Sequence, residues 1–140
     1  NQFSYYIEVD PTLNPGNILI PSLLLQPYVE NAIWHGLLHK DGEKLISIKV
    51  KPESMESISI LIDDNGVGRE MAARLEQKPR DQKSFGLELG ASRLKLIHGY
   101  STISSVEVID KVDDRRQPSG TTIRIIIPSN IFIRDKISLN

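Results

Sequence analysis

Two short patches constrain this chain more than any other feature of it: Glu30-Asn31-Ala32-Ile33-Trp34-His35-Gly36 and Asp63-Asp64-Asn65-Gly66-Val67-Gly68. The first sits in a helical setting, because Leu23, Leu24, Tyr28, Ala32 and Ile33 share one face of a helix starting at Ser22. That geometry puts Asn31 and His35 one turn apart on a common face, with Glu30 beside them, a set of groups suited to a hard divalent cation and its anionic ligand. The second patch follows a β-like run, Ile58-Ser59-Ile60-Leu61-Ile62, and joins a carboxylate to glycines. Glycines there let the backbone turn sharply and approach a flat ring closely.

With 140 residues, 39% hydrophobic and 25% charged, the chain fits one compact domain with a real core. A net charge of -1, from 17 basic and 18 acidic residues, gives no reason to expect bulk electrostatic binding to nucleic acid or to a membrane surface. The absence of cysteine removes disulfides, thiolate catalysis and cysteine-ligated zinc, and it fits a reducing compartment such as the cytoplasm. No apolar run approaches the roughly 20 residues that cross a bilayer. Asn1 does not open a secretion signal, and the missing initiator methionine leads to the expectation of a fragment of a longer protein.

The order of elements is mixed. Phe3 to Val9 is aromatic and β-branched, so a first strand is expected, then a turn at Asp10-Pro11 and a loop through Asn14-Pro15-Gly16. The helix from Ser22 should be kinked or restarted by Pro27 and stopped by Gly36. Lys44 to Lys51 and Ser57 to Asp63 alternate as strands joined near Pro52-Glu53-Ser54, with antiparallel pairing the simplest connection. Arg69 to Ser84 is polar and reads as a mobile lid, with one short helix around Met71 to Glu76. A second long helix is expected from Gly86 to near Gly99, then strands over Thr102 to Ile109 and Thr121 to Ile127, separated by a charged hairpin from Asp110 to Ser119. Helices gathered on one face of a mixed, mostly antiparallel sheet make an α+β two-layer sandwich the expected architecture. Residues 1–128 are expected to form the domain, and 129–140 a C-terminal tail ordered by a neighbour.

The run Leu25-Gln26-Pro27-Tyr28-Val29-Glu30-Asn31-Ala32-Ile33-Trp34-His35-Gly36 closely resembles the asparagine box of sensor histidine kinases, particularly the autolysin-sensor (LytS-like) branch, in which Gln-Pro precedes Glu-Asn. These kinases belong to the gyrase/Hsp90/histidine-kinase/MutL superfamily, whose ATP-binding fold is called Bergerat-type. The resemblance covers roughly residues 3 to 128, and its specificity lies in the order of its motifs. It implies that Asn31 binds Mg²⁺ and that Glu30 orients a metal-bound water or polarises the attacking group. His35 closes the box, with an even prospect of a phosphate or supporting contact; Trp34 falls where the branch often has lysine.

Asp64-Asn65-Gly66-Val67-Gly68 resembles the first glycine box, in which the aspartate matching Asp64 hydrogen-bonds adenine and Gly66 and Gly68 line the nucleotide. Read locally, the same residues are ordinary turn chemistry. Asp63 reads as a strand-end residue, with a swap of roles left open. Lys83-Ser84-Phe85-Gly86-Leu87 resembles the second glycine box at the start of a helix, implying phosphate and nucleotide contacts from Lys83, Ser84, Gly86 and Leu87, although Ser84 equally suits a helix cap. Gly86 and Gly90 depart from the common Gly-x-Gly spacing. Gly120-Thr121-Thr122 resembles the last Gly-Thr strand, in which the residue matching Thr121 helps to hold adenine; otherwise both threonines are plain strand formers. His39 and His98 are expected to play surface or helix-end roles.

The expectation is therefore an ATP- and Mg²⁺-dependent catalytic domain of a two-component sensor histidine kinase. It would transfer the γ-phosphate to a histidine in a separate dimerisation segment of its parent. Partners implied by the resemblance are that segment, a downstream response regulator and a second copy of the parent, which would sit in the bacterial inner membrane while this domain stays cytoplasmic, without direct contact to membrane or nucleic acid. Such kinases carry the acceptor in a His-Phe-x-Phe-Asn context, which this sequence lacks. In hydrolytic relatives a glutamate one turn before the asparagine activates water, and Pro27 occupies that position here. Two rival expectations remain: a nucleotide-binding regulatory module without phosphotransfer, and an anti-sigma-type serine kinase of the same fold.

Overall fold

A computed structural model of the chain describes residues 2–18, 22–76 and 105–128. The elements in chain order are β1 (Ser4–Val9), a 3₁₀ turn (Pro15–Asn17), α1 (Ser22–Asn31), a π-helical continuation (Ala32–Leu37), β2 (Leu45–Ser54), β3 (Ser57–Asp64), α2 (Arg69–Leu75), β4 (Val106–Val112) and β5 (Pro118–Pro128). The sheet runs β1-β2-β3-β5-β4, with β1 parallel to β2 and every other pair antiparallel. The expected long helix at 86–99, the second half of the lid and the tail 129–140 lie outside the described residues.

Strand alternation explains the two layers. Across the sheet, Val50, Ile60, Ile125 and Val106 stand in one row, and Ile48, Ile62, Ile123 and Val108 in the next. Leu24, Tyr28 and Ala32, at successive turns of the helix, and then Leu37, are buried in the same core. Each fully buried aliphatic side chain there contributes about 1.5–3 kcal/mol relative to exposure. The opposite face of the sheet carries Lys49, Leu61, Arg124 and Glu107 in register, with Arg124 paired to Glu53 and Glu107.

Pro27 lies inside α1, so no new segment starts there. Two boundaries differ from expectation. Gly36 is not a stop, because the helix runs on as π turns to Leu37, with the Leu38 amide donating to the Ile33 carbonyl at 3.0 Å. The charged hairpin is much shorter than Asp110 to Ser119: β4 reaches Val112 and β5 starts at Pro118, across a register shift between Asp110 and Val112. The Asp113 carboxylate closes this tighter loop by accepting from the Arg115 and Gln117 amides at 2.9 and 2.8 Å. Arg116 turns the chain there at a φ of 60°. Pro52 sits within β2, which a proline tolerates because β1 pairing stops at Val50, so among the described residues no strand pairs with that flank of β2.

Candidate functional site

The polar end of the sheet is one register row: Ile46 on β2, Asp64 on β3, Thr121 on β5 and Asp110 on β4. Asp64 thus continues the line of Ile58, Ile60 and Ile62 on the helix-covered face and is itself 4% exposed. Its Oδ1 accepts the Gly66 amide at 2.8 Å. Burial pushes its carboxyl up to about 6, against the opposing pull of the Gly66 amide, Lys111 and the Thr121 amide. A buried carboxyl raised in this way is, when ionised, a stronger acceptor toward a hydrogen-bond donor on a ligand.

Asp63, one residue earlier, faces the other side of the sheet. There Lys111 Nζ contacts both of its oxygens at 2.8 Å and the Thr122 hydroxyl donates to Oδ1. Strand alternation therefore separates two superficially equal Asp-Thr pairs: Asp64 with Thr121 beneath the helices, and Asp63 with Thr122 and Lys111 on the outer face. The register places Asp64, not Asp63, on the helix-covered face.

Glycines set how close the two patches come. A β-carbon on Gly66 would lie 2.5 Å from Gly36 Cα and 2.8 Å from Asp64 Oδ1, and one on Gly36 would lie 2.9 Å from that same oxygen. The Gly36 carbonyl, an orphan at the helix end, accepts the Val67 amide at 3.2 Å. Gly36 is therefore a contact glycine pressed onto the aspartate turn, a role missed in reading it as a helix stop. Gly68 adopts a φ of 78° just before α2, and Gly120 a φ of 121° where a β-carbon would overlap the Asp64 carbonyl oxygen. Asn65 ties the turn down: its Oδ1 accepts the Leu45 amide at 2.8 Å and its Nδ2 donates to the Glu43 carbonyl at 3.2 Å.

The helix that carries the first patch ends on this cluster. Asn31 is the last residue of α1, half-buried, and its side chain makes no cap to the helix. Glu30 is exposed and accepts from Gln26 Nε2 at 2.6 Å, so Gln26 holds it on the solvent side. Trp34 is largely exposed. His35 turns Nδ1 to Glu76 Oε1 at 2.5 Å, and His39 reaches the same oxygen through Nε2 at 3.2 Å. His39, exposed as expected of a surface residue, is thus also paired.

α2 is strapped at its start as well, by two nitrogens of Arg69 on the Asp110 carboxylate at 2.7 and 2.6 Å. The Arg69 guanidinium holds the Asp110 carboxyl below the usual carboxylate range. This first part of the expected lid is therefore an ordered helix. Neither Glu76 nor the Arg69–Asp110 pair was legible beforehand, since each joins residues far apart in sequence.

The structure brings Asp64, Gly66, Gly68 and Thr121 together and sets the helix of Glu30, Asn31 and His35 against them. Lys83, Ser84, Gly86 and Leu87 lie outside the described residues. Among the described residues no group of three or more histidines and carboxylates is arranged to hold a metal ion, and no helix is long and apolar enough to cross a membrane.

No family model matches the chain. Its fold is that of the ATP-binding domains of histidine kinases: the blue-light activated histidine kinase of Erythrobacter litoralis EL346 superposes with a TM-score of 0.55 at 18% identity, over 97% of this chain and 37% of that one. In sequence the chain is homologous to sensor histidine kinases, LytS among them. It is 33% identical to the sensor histidine kinase YpdA of Escherichia coli over 81% of its length and 30% identical to the sensor protein LytS of Oceanobacillus iheyensis over 91%. It spans only 18% and 21% of those two relatives.

Proposed function

We propose that residues 1–128 form the ATP-binding catalytic domain of a LytS-like sensor histidine kinase, transferring the γ-phosphate of ATP to a histidine carried by a separate dimerisation segment of the parent protein. The observation that carries this reading is the buried Asp64 carboxylate, in register with Thr121 and closed over by Gly36 and Gly66 from the other motif.

Asp64 accepts a hydrogen bond from the adenine amino group, and Thr121 beside it helps to hold the ring. The glycines keep the approach free of side chains, as a flat ring requires. Asn31, a half-buried amide at the helix end, fits a magnesium ion that takes one protein oxygen and completes its shell with phosphate oxygens and water. When bound, that ion neutralises charge on the phosphates. His35 contacts a phosphate, Glu30 polarises the attacking group, and Lys83, Ser84, Gly86 and Leu87 complete the nucleotide contacts. Phosphoryl transfer asks the protein mainly for position and charge stabilisation. The incoming histidine nitrogen bonds to the γ-phosphorus as its bond to the β–γ bridging oxygen breaks, and ADP leaves. The parent is a homodimer in the bacterial inner membrane with this domain in the cytoplasm, and a response regulator receives the phosphate.

The test supplies the 140-residue chain with γ-labelled ATP, alone and with a helical segment carrying the acceptor histidine of such a parent. The chain alone binds ATP but labels nothing, because its three histidines stand outside the acceptor context and Pro27 stands where the hydrolytic relatives place their base. Added segment becomes labelled. Brisk ATP turnover by the chain alone, lost in Glu30→Ala, would make it an ATPase instead; binding without transfer to the segment would make it a regulatory module.

A further inference from the structure

On the helix that carries the first motif, Leu24, Tyr28, Ala32 and Gly36 are buried at every fourth residue, and two positions on from each of them Gln26, Glu30, Trp34 and Leu38 are exposed. The two stripes lie on opposite sides of the helix. Gln26 and Glu30 are neighbours on the outer stripe, their side chains hydrogen-bonded at 2.6 Å. From Ala32 to Leu37 the turns are of the wider π kind, which offsets the slow drift of an every-fourth-residue row around an α-helix and keeps Trp34 and Leu38 in line with Glu30. A solvated helix stripe is ordinarily polar, but this one turns apolar at its end: Trp34 is 61% exposed and Leu38, four residues on, 41%. The adjacent row, His35 and His39, is held by Glu76 at the end of α2, which leaves the apolar pair on the outer side.

We propose that Trp34 and Leu38 form the docking surface for the helical segment that carries the acceptor histidine. The inference rests on the reading of the chain as a histidine-kinase domain with Glu30 at the attacking group. A histidine within reach of Glu30 lies over this stripe, and Trp34 follows Glu30 by at most about 6 Å along the helix axis. A helix is about 10–12 Å across with its side chains, so one laid over Glu30 covers Trp34 as well. Tryptophan presents a large, rigid surface, which is why it so often dominates the energy of an interface. The Glu30 carboxylate on the same stripe gives this surface no attraction for an anionic membrane. The partner it fits is a helix that turns its imidazole to Glu30 and covers Trp34 and Leu38 with apolar side chains on either side of that histidine.

Trp34 is the only tryptophan in the chain, so its fluorescence reports on this surface alone. The probe is a tryptophan-free helical segment bearing the acceptor histidine in its His-Phe-x-Phe-Asn context. Emission is recorded for the unaltered 140-residue chain by itself, with a non-hydrolysable Mg·ATP analogue, and with analogue and segment together, an arm that does not depend on any variant folding. Transfer of labelled phosphate from ATP is then followed over a range of segment concentrations for the unaltered chain, Trp34→Ala, Trp34→Phe and Leu38→Ala. Emission should move to shorter wavelength only when the segment is added. Trp34→Ala should raise the KM for the segment about tenfold, and Leu38→Ala and Trp34→Phe less, while kcat at saturating segment and affinity for the analogue stay within about twofold. A segment that is labelled while emission stays put, or while KM is unmoved in Trp34→Ala, overturns the docking surface alone. An emission shift with analogue alone assigns Trp34 to the nucleotide, and one that follows chain concentration alone assigns it to a second copy; either overturns the proposal. A segment left unlabelled by the unaltered chain overturns the kinase reading itself and the docking surface with it.

Discussion

Gly66 lies against Gly36 so closely that a β-carbon on Gly66 would stand 2.5 Å from the Gly36 Cα. The asparagine-box helix and the aspartate turn therefore meet backbone to backbone, with the Asp64 carboxylate caught beside the contact. Gly66→Ala should force the two apart, at a cost of about 1–3 kcal/mol from overpacking. Chemical denaturation measures this, and ATP affinity should fall more steeply than stability alone explains. A variant as stable as the unaltered chain would mean that the helix end yields freely.

Asp64→Asn should act in opposite directions on stability and on binding. The Asp64 carboxyl is raised to about 6 by burial, so the fold is most favoured when it is protonated. That contribution is fully present below the unfolded value of 3.8 and is lost as pH rises through about 6. At pH 7 the ionised, buried group costs about 3 kcal/mol by this shift. Asparagine removes that cost, so the variant should be more stable at pH 7 and similar to the unaltered chain near pH 4, in denaturation curves taken across that range. ATP binding should weaken about ten- to a hundredfold, the loss of one charge-assisted hydrogen bond. In the unaltered chain affinity should likewise decline as pH falls below about 6.

Asn31→Ala should work through the metal. Its effect on ATP affinity should be large in magnesium and much smaller in chelator, read by calorimetry under both conditions. Equal losses in the two would make Asn31 structural.

Arg69→Met breaks the two-pronged contact with Asp110. Both side chains are well exposed, so the loss of stability should stay below about 1 kcal/mol and shrink further in high salt. Hydrogen exchange at the start of α2 should nevertheless rise, because Arg69 is what anchors that end to β4.

The alternation of Ile58, Ile60 and Ile62, the glycines after Asp64 and the helical spacing of Leu24, Tyr28 and Ala32 are local patterns. They determined the strands, the first helix and the two motifs before any tertiary contact was considered. Even which of Asp63 and Asp64 faces the helices follows from period-two alternation once the buried face of β3 is known, and that face is itself written in its isoleucines. What the tertiary structure alone decided are relations between residues far apart in the chain. These are the register that sets Thr121 beside Asp64, the pressing of Gly36 onto Gly66, the shared Glu76 oxygen beneath His35 and His39, and the anchoring of Arg69 on Asp110. A glycine that ends a helix and a glycine that admits another backbone look identical in sequence. A glutamate facing water and one facing two imidazoles do too, because the difference lies in what the fold brings opposite them.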